Sequence, residues 1–147
     1  MGSVVTVKDS LFNAPKGSII LHACNTKGVW GSGIAKEFAK RFPNAFRVYR
    51  AACMTEGSTL RGKCLLIPSG AYVVGCLFTS RDYATHVDPP HLILDATRLA
   101  IAHLILHNET KKPMHMCKIN SGLFRVPWSD TKKILKETGQ DFVVYDY

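Results

Sequence analysis

The sequence predicts an α/β fold, a three-layer α/β/α domain on a mixed, mainly parallel central sheet. Strand-like and helix-like segments alternate along the chain, the pattern of β-α-β units. Residues 18–24 form a nearly continuous apolar run, as expected of a strand covered on both faces. The chain has 147 residues and 46% hydrophobic content, enough for one full core, so a single domain over residues 1–147 is expected.

The elements follow in order. Val4–Val7 is β-branched and strand-like. After the apolar run, residues 28–33 make a glycine-rich turn. Ile34, Ala35, Phe38, Ala39 and Phe42 then recur at helical spacing until Pro43. A second helix is expected from Pro43 or Asn44 to about Met54, with Gly57 beyond its end. Residues 63–67 and 72–78 read as strands, and Pro68-Ser69-Gly70 between them is turn chemistry, so they pair as a hairpin. A longer helix starts after Pro89-Pro90, with Leu92, Ala96, Leu99, Ala102, Leu104 and Ile105 as its apolar residues. Residues 114–119 form another strand. Residues 129–138 form a helix with Ser129 as N-cap and Gly139 as stop, and Phe142–Tyr145 is the last strand.

Lys and Arg number 19 against 11 Asp and Glu, a net charge of +8. That balance is compatible with an anionic partner such as nucleic acid, nucleotide or phosphate. The bases are scattered, however, and a solvated basic surface is the plainer reading. Apolar content excludes disorder, and no run approaches the roughly 18 apolar residues of a membrane span. The opening residues carry no secretory pattern. Cysteines stand at 24, 53, 64, 76 and 117, without CxxC spacing and mostly inside apolar runs. They read as reduced core thiols of a cytoplasmic or nuclear protein.

Two strand-to-helix loops carry candidate chemistry, at the sheet edge where such folds bind ligands. In residues 25–35, Gly31 and Gly33 let the backbone approach a ligand and turn N–H groups toward one point, and the following helix adds its positive end. Neither a Walker loop nor GxGxxG is present, and alone such a segment is also a tight turn. Residues 120–128 bring a small polar pair, Gly122 and a bulky aromatic to the same edge. Two such loops facing one cleft clamp a diphosphate from both sides.

These residues carry a resemblance. Leu21-His22-Ala23-Cys24-Asn25 with Trp30-Gly31-Ser32-Gly33-Ile34-Ala35 resembles the first ligand loop of macro domains. Asn120-Ser121-Gly122-Leu123-Phe124 with Val126-Pro127-Trp128 resembles the second. The similarity is greatest to the fungal ADP-ribose 1''-phosphate phosphatase branch, where a Gly-Lys-Cys-strand-Pro-Ser segment (here 62–69) and a Leu-Phe-Thr-Ser strand end (here 77–80) recur in the same order. It spans nearly the whole chain. It implies a macro domain whose small-molecule ligand is ADP-ribose or ADP-ribose 1''-phosphate, a tRNA splicing by-product, hydrolysed to ADP-ribose and phosphate without a cofactor.

Carried over by position, the resemblance implies that Gly31, Ser32, Gly33 and Ile34 hold one side of the diphosphate. Ser121, Gly122, Leu123 and Phe124, opened by Asn120, hold the other, with Phe124 bordering the distal ribose and Asn25 hydrogen-bonding it. Macro domains usually read the adenine amino group with an Asp after the first strand. Ser10 stands there, so Asp9, Ser10 and Leu11 are the candidates. Tyr145 packs against adenine or is an edge-strand aromatic.

Relatives that remove ADP-ribose from acidic side chains use a Lys and an Asp where this chain has Ser80 and Phe124, so that mechanism is unsupported. Phosphomonoester hydrolysis needs an anion clamp and a positioned water or nucleophile. Asn25, His22, Ser80 and His86 are the catalytic candidates. Each has a plainer reading: His22 as a core histidine, Ser80 as a strand end, His86 as a surface-loop residue. Asp88 and Asp95 are alternative acids, with Asp95 on a solvated helix face. His103 and His107 are four apart but lack HExxH, so no metal site is expected. Trp30 and Trp128 are cleft walls or core. Other readings are ADP-ribosyl hydrolase action on protein or nucleic acid, an ADP-ribose reader without turnover, and a nucleic-acid binder. An ADP-ribosylated macromolecule is thus a candidate partner. A monomer without membrane contact is expected.

Overall fold

A computed structural model describes residues 2–146. The strands are β1 (Val4–Val7), β2 (Ile19–Asn25), β3 (Cys64–Ser69), β4 (Tyr72–Ser80), β5 (Met114–Cys117) and β6 (Phe142–Tyr145). The helices are α1 (Gly33–Arg41), α2 (Pro43–Glu56), α3 (Pro90–His107) and α4 (Trp128–Glu137), with short 3-10 turns at Leu11–Asn13, Gly57–Leu60 and Ala84–His86. One sheet runs in the order β1-β6-β5-β2-β4-β3, parallel throughout except for the β3–β4 hairpin.

The apolar run becomes the central strand because both its faces are covered. Side chains alternate across a strand, so Ile20 and Cys24 join Phe38, Tyr49 and Phe78 beneath α1 and α2. Ile19 and Leu21 join Leu77, Ile101, Leu104 and Leu135 beneath α3 and α4. Layering therefore follows from the period of two in β2. Packing across the strands is tight enough that a Cβ on Gly75, the register partner of Leu21, would come within 2.3 Å of the Leu21 side chain.

Four details differ from expectation. Strand β3 continues through Pro68 to Ser69, and the turn falls at Gly70-Ala71, because β3 is an edge strand and tolerates a missing N–H. Strand β5 stops at Cys117, where Ile119 N–H turns back to Cys117 O at 2.8 Å. Helix α4 begins at Trp128 after Pro127, with no side-chain cap, so Ser129 is not its N-cap. Helix α3 buries Ile93, Ala96, Thr97, Ala100, Ile101 and Leu104, while Leu99 and Leu106 are exposed. Its apolar residues run almost all the way round, so composition did not identify the inward face. Among the described residues, no helix is long and apolar enough to cross a membrane.

This topology opens a crevice. From β2 the chain moves toward β3 and β4, whereas from β5 it moves toward β6, so adjacent parallel strands send their loops apart. Ligands of open α/β sheets bind at such switch points.

Candidate ligand site at the carboxyl edge of the sheet

The loop after β2 is built by Asn25. Its Oδ1 accepts the N–H groups of Lys27 (2.9 Å) and Val29 (3.3 Å) and the Tyr49 hydroxyl (3.0 Å), and its Nδ2 donates to Val29 O (2.8 Å). The buried carboxamide therefore shapes the turn and keeps one N–H uncommitted. Trp30 is buried and stacks on Tyr49 at 4.6 Å, so it is core rather than a cleft wall. Gly31, Ser32 and Gly33 are exposed, and α1 opens at Gly33 with φ +58°. Ser32 supplies no side-chain cap. The N–H groups of Gly33, Ile34 and Ala35 have no acceptor among the described residues. They form a set of donors at the positive end of a helix.

The loop after β5 presents a matching set. Arg125 N–H bonds Gly122 O at 3.0 Å and Val126 N–H bonds Asn120 O at 2.9 Å, while the N–H groups of Gly122, Leu123 and Phe124 have no acceptor among the described residues. Asn120, expected to touch the ligand, instead turns inward. Its Oδ1 accepts from Thr79 Oγ1 (2.9 Å), and its Nδ2 donates to Thr97 Oγ1 (3.0 Å) and Thr131 Oγ1 (3.3 Å), all buried. Asparagine tolerates the left-handed φ of +66° here, and its amide satisfies hydroxyls from β4, α3 and α4 at once. Ser121 Oγ donates to Lys118 O at 2.6 Å, Leu123 is exposed and Phe124 is half-buried.

Beside the ends of β1 and β6, Lys8, Asp9, Ser10, Asn13 and Asp146 line a cleft of about 370 Å³. Asp9 accepts from Asn13 Nδ2 (2.9 Å) and Ser10 N–H (2.7 Å), and these bonds hold its carboxyl below the usual value. Ser10 Oγ caps the following turn through Phe12 N–H at 3.3 Å. Leu11 is a core side chain and offers only its backbone. Tyr145 is buried with its hydroxyl 2.8 Å from His115 Nδ1, and it is no edge-strand aromatic, because β6 lies between β1 and β5. Burial pushes the Tyr145 phenol up and the His115 imidazole down.

Burial favours the plainer readings of two catalytic candidates. His22 is 1% exposed, stacked on Phe38 at 4.0 Å and edge-on to Trp30 at 4.6 Å. Ser80 is fully buried, its Oγ donating to Asp82 O (2.8 Å) and accepting from Asp88 N–H (3.0 Å). Asp88 is likewise committed, ion-paired to Arg81 at 3.0 Å, and Asp95 lies exposed beside Arg98. His86 alone among the four catalytic candidates is exposed.

Sequence spacing also missed a cluster. His22, Cys24 and Cys76 bring their donor atoms within 4.8 Å of one another, because His22 and Cys76 are register partners on β2 and β4. These are soft-metal ligand types, but the trio lies buried beneath α1. Cys76 is pushed up chiefly by burial. His103 and His107 stack at 4.1 Å, and His103 Nδ1 accepts Cys64 N–H at 3.1 Å.

Comparison with known proteins agrees with this architecture. The macro domain family profile matches residues 21–135. A Chaetomium globosum protein named ADP-ribose 1''-phosphate phosphatase is 41% identical, the match covering 86% of this chain and 78% of that protein. A Saccharomyces cerevisiae protein of the same name is 34% identical, covering 99% of both. Among solved structures, the macrodomain of Mycobacterium tuberculosis DarG superposes with a TM-score of 0.82 at 21% identity, over 100% of this chain and 99% of that one. Thermosipho africanus DarTG in complex with ADP-ribose superposes with a TM-score of 0.78 at 16% identity, over 99% of this chain and 42% of that one. With its sheet order, its two donor loops and a match over most of its length, the chain belongs to the macro domain family.

Proposed function

We propose that this chain binds ADP-ribose and hydrolyses ADP-ribose 1''-phosphate to ADP-ribose and phosphate. One observation carries the reading: Gly33, Ile34 and Ala35 on one side, and Gly122, Leu123 and Phe124 on the other, offer uncommitted N–H groups from adjacent parallel strands. Relatives at 41% and 34% identity that bear the phosphatase name support the same activity.

In this reading the donor sets hold the diphosphate, with Gly31 and Ser32 letting it approach. Asp9, kept ionised by its two donors, accepts the adenine amino group in the cleft beside Ser10. The remaining Nδ2 hydrogen of Asn25 orients the distal ribose, with Phe124 along its edge. Positioning of this kind supplies several kcal/mol toward the barrier, of order about 7 in well-oriented cases. Fixed N–H dipoles hold the diphosphate without reorganising, and so keep the distal ribose and its phosphomonoester in one place. Ser80 and Phe124 offer neither an amine for a covalent adduct nor a carboxylate base, which disfavours release of ADP-ribose from glutamate esters.

Burial of His22 and Ser80 favours a second reading, a reader of ADP-ribose, free or on a macromolecule, without turnover. Five free thiols support a reducing compartment, cytoplasm or nucleus. A monomeric state and a substrate arising as a tRNA splicing by-product complete the proposal. Product analysis after incubation with ADP-ribose 1''-phosphate, an ADP-ribosyl-glutamate peptide and ADP-ribosylated DNA tests it. Phosphate and ADP-ribose should form fastest from the first. Faster cleavage of the ester or the DNA adduct overturns the assignment, and binding with no product from any substrate establishes the reader.

A further inference from the structure

The loop that leaves β4 takes no part in the ADP-ribose contacts proposed above. We propose that residues 81–88 form a subsite for the terminal phosphomonoester on the distal ribose. Its ligands are Thr85 Oγ1, the His86 ring and the N–H groups of Ala84 and Thr85, and the loop thereby sets the preference for a phosphorylated over an unphosphorylated ADP-ribose. This rests on the ligand orientation proposed above.

Sheet order supplies the ruler. The Asp9 cleft lies beside β1 and β6, and the two donor sets follow β5 and β2. Strand β4 comes next, about 4.8 Å further on. A ligand that runs from the cleft through both donor sets arrives with its far end over β4. The register agrees, since Asn25 pairs with Ser80, and Thr26 Oγ1 donates to Arg81 O at 2.8 Å. The two loops leave the edge side by side.

The base of this loop is held and its tip is open. Ser80 Oγ bonds Asp82 O and Asp88 N–H, while Asp88 accepts Arg81 N–H and Nε at 3.0 Å each. Arg61 Nε lies 3.9 Å from the same carboxylate, so two guanidinium groups face one buried acid. Asp82, half-buried, uses Oδ1 on Tyr83 N–H at 2.8 Å. Tyr83, Ala84, Thr85 and His86 are all exposed. Ala84 adopts φ +57°, disfavoured for alanine and sustained because both ends of the loop are anchored. His86 N–H returns to Tyr83 O at 3.1 Å, whereas the N–H groups of Ala84, Thr85 and Val87 have no acceptor among the described residues. A rigid base under a tip of uncommitted donors suits a tetrahedral oxyanion with several acceptor oxygens better than a ribose hydroxyl.

The test uses the full chain with Thr85→Ala, His86→Ala and the double variant. Calorimetry gives the Kd of ADP-ribose, steady-state kinetics gives kcat/KM for ADP-ribose 1''-phosphate, and inorganic phosphate serves as inhibitor. The ADP-ribose Kd should stay within about twofold. In the double variant kcat/KM should fall at least about tenfold, and phosphate inhibition should weaken in parallel. A kcat/KM close to wild type, or an equal loss of ADP-ribose affinity, overturns the subsite. A wild type that releases no phosphate refutes the hydrolytic reading alone. The subsite is then tested by the affinity advantage of the 1''-phosphate over ADP-ribose. Loss of that advantage in the variants supports it; an advantage that persists in them, or is absent from wild type, overturns it.

Discussion

Gly122→Glu isolates the second donor loop. Gly122 has open space where a Cβ would project, and its backbone lies outside the left-handed region, so a side chain adds no strain. Its own N–H and those of Leu123 and Phe124 are uncommitted, and a carboxylate there stands beside whatever anion they hold. At about 6 Å and an effective dielectric constant of about 40, it repels each phosphate by about 1.4 kcal/mol. The two phosphates together give about 3 kcal/mol, or about 100-fold weaker ADP-ribose binding. Gly122→Ala, with bulk but no charge, should lose only a few-fold. Gly33→Glu is a blunter probe, because φ +58° makes any side chain strained there. That strain costs about 1–2 kcal/mol of stability before charge acts. Calorimetry with ADP-ribose, paired with a thermal melt by circular dichroism, reads both quantities. A folded Gly122→Glu that binds like wild type refutes the clamp.

Asn120→Ala removes the common partner of Thr79, Thr97 and Thr131, of which Thr97 also donates to Ile93 O. Leaving one or two buried groups unpaired costs about 2–4 kcal/mol, read as a lower urea midpoint, and an unchanged midpoint contradicts the hub. His22→Ala should cost about 3 kcal/mol of stability while kcat/KM of the folded protein stays near wild type. A reduced kcat at unaltered Tm would return His22 to catalysis. Burial holds His103 and His115 below their ordinary value of 6.5. The unfolded chain therefore binds protons that the folded chain does not. Stability should be flat above about pH 6.5 and fall as pH drops toward the folded values, and His115→Gln should flatten the slope. A Tm that rises on acidification contradicts this.

What the sequence disclosed depended on how local the signal was. The glycines at 31, 33 and 122 mark backbone exposure directly, so both donor loops were legible as loops. The run of residues 18–24 marked the central strand because burial on both faces demands continuous apolar side chains. Asn120 looked like a ligand contact because its partners, Thr79, Thr97 and Thr131, lie far apart in the chain and meet only in the fold. The Ser80 hydroxyl is spent on Asp82 and Asp88, near in the chain, but only the fold of the loop after β4 shows that it turns back onto them. The inward face of α3 stayed hidden because leucines and isoleucines surround the helix. His22, Cys24 and Cys76 converge only through the β2–β4 register.

In the proposed function the two sets of backbone donors grip the diphosphate and thereby position the phosphomonoester for hydrolysis without a bound cation. The most direct test of this claim is the initial rate of inorganic phosphate release from ADP-ribose 1''-phosphate by the purified chain in excess chelator. Phosphate should appear stoichiometrically with ADP-ribose at the rate seen without chelator, and Gly122→Glu should lower that rate about 100-fold at subsaturating substrate. A rate that vanishes with chelator and returns with Mg²⁺, or no release at all from a chain that binds ADP-ribose, would contradict the claim.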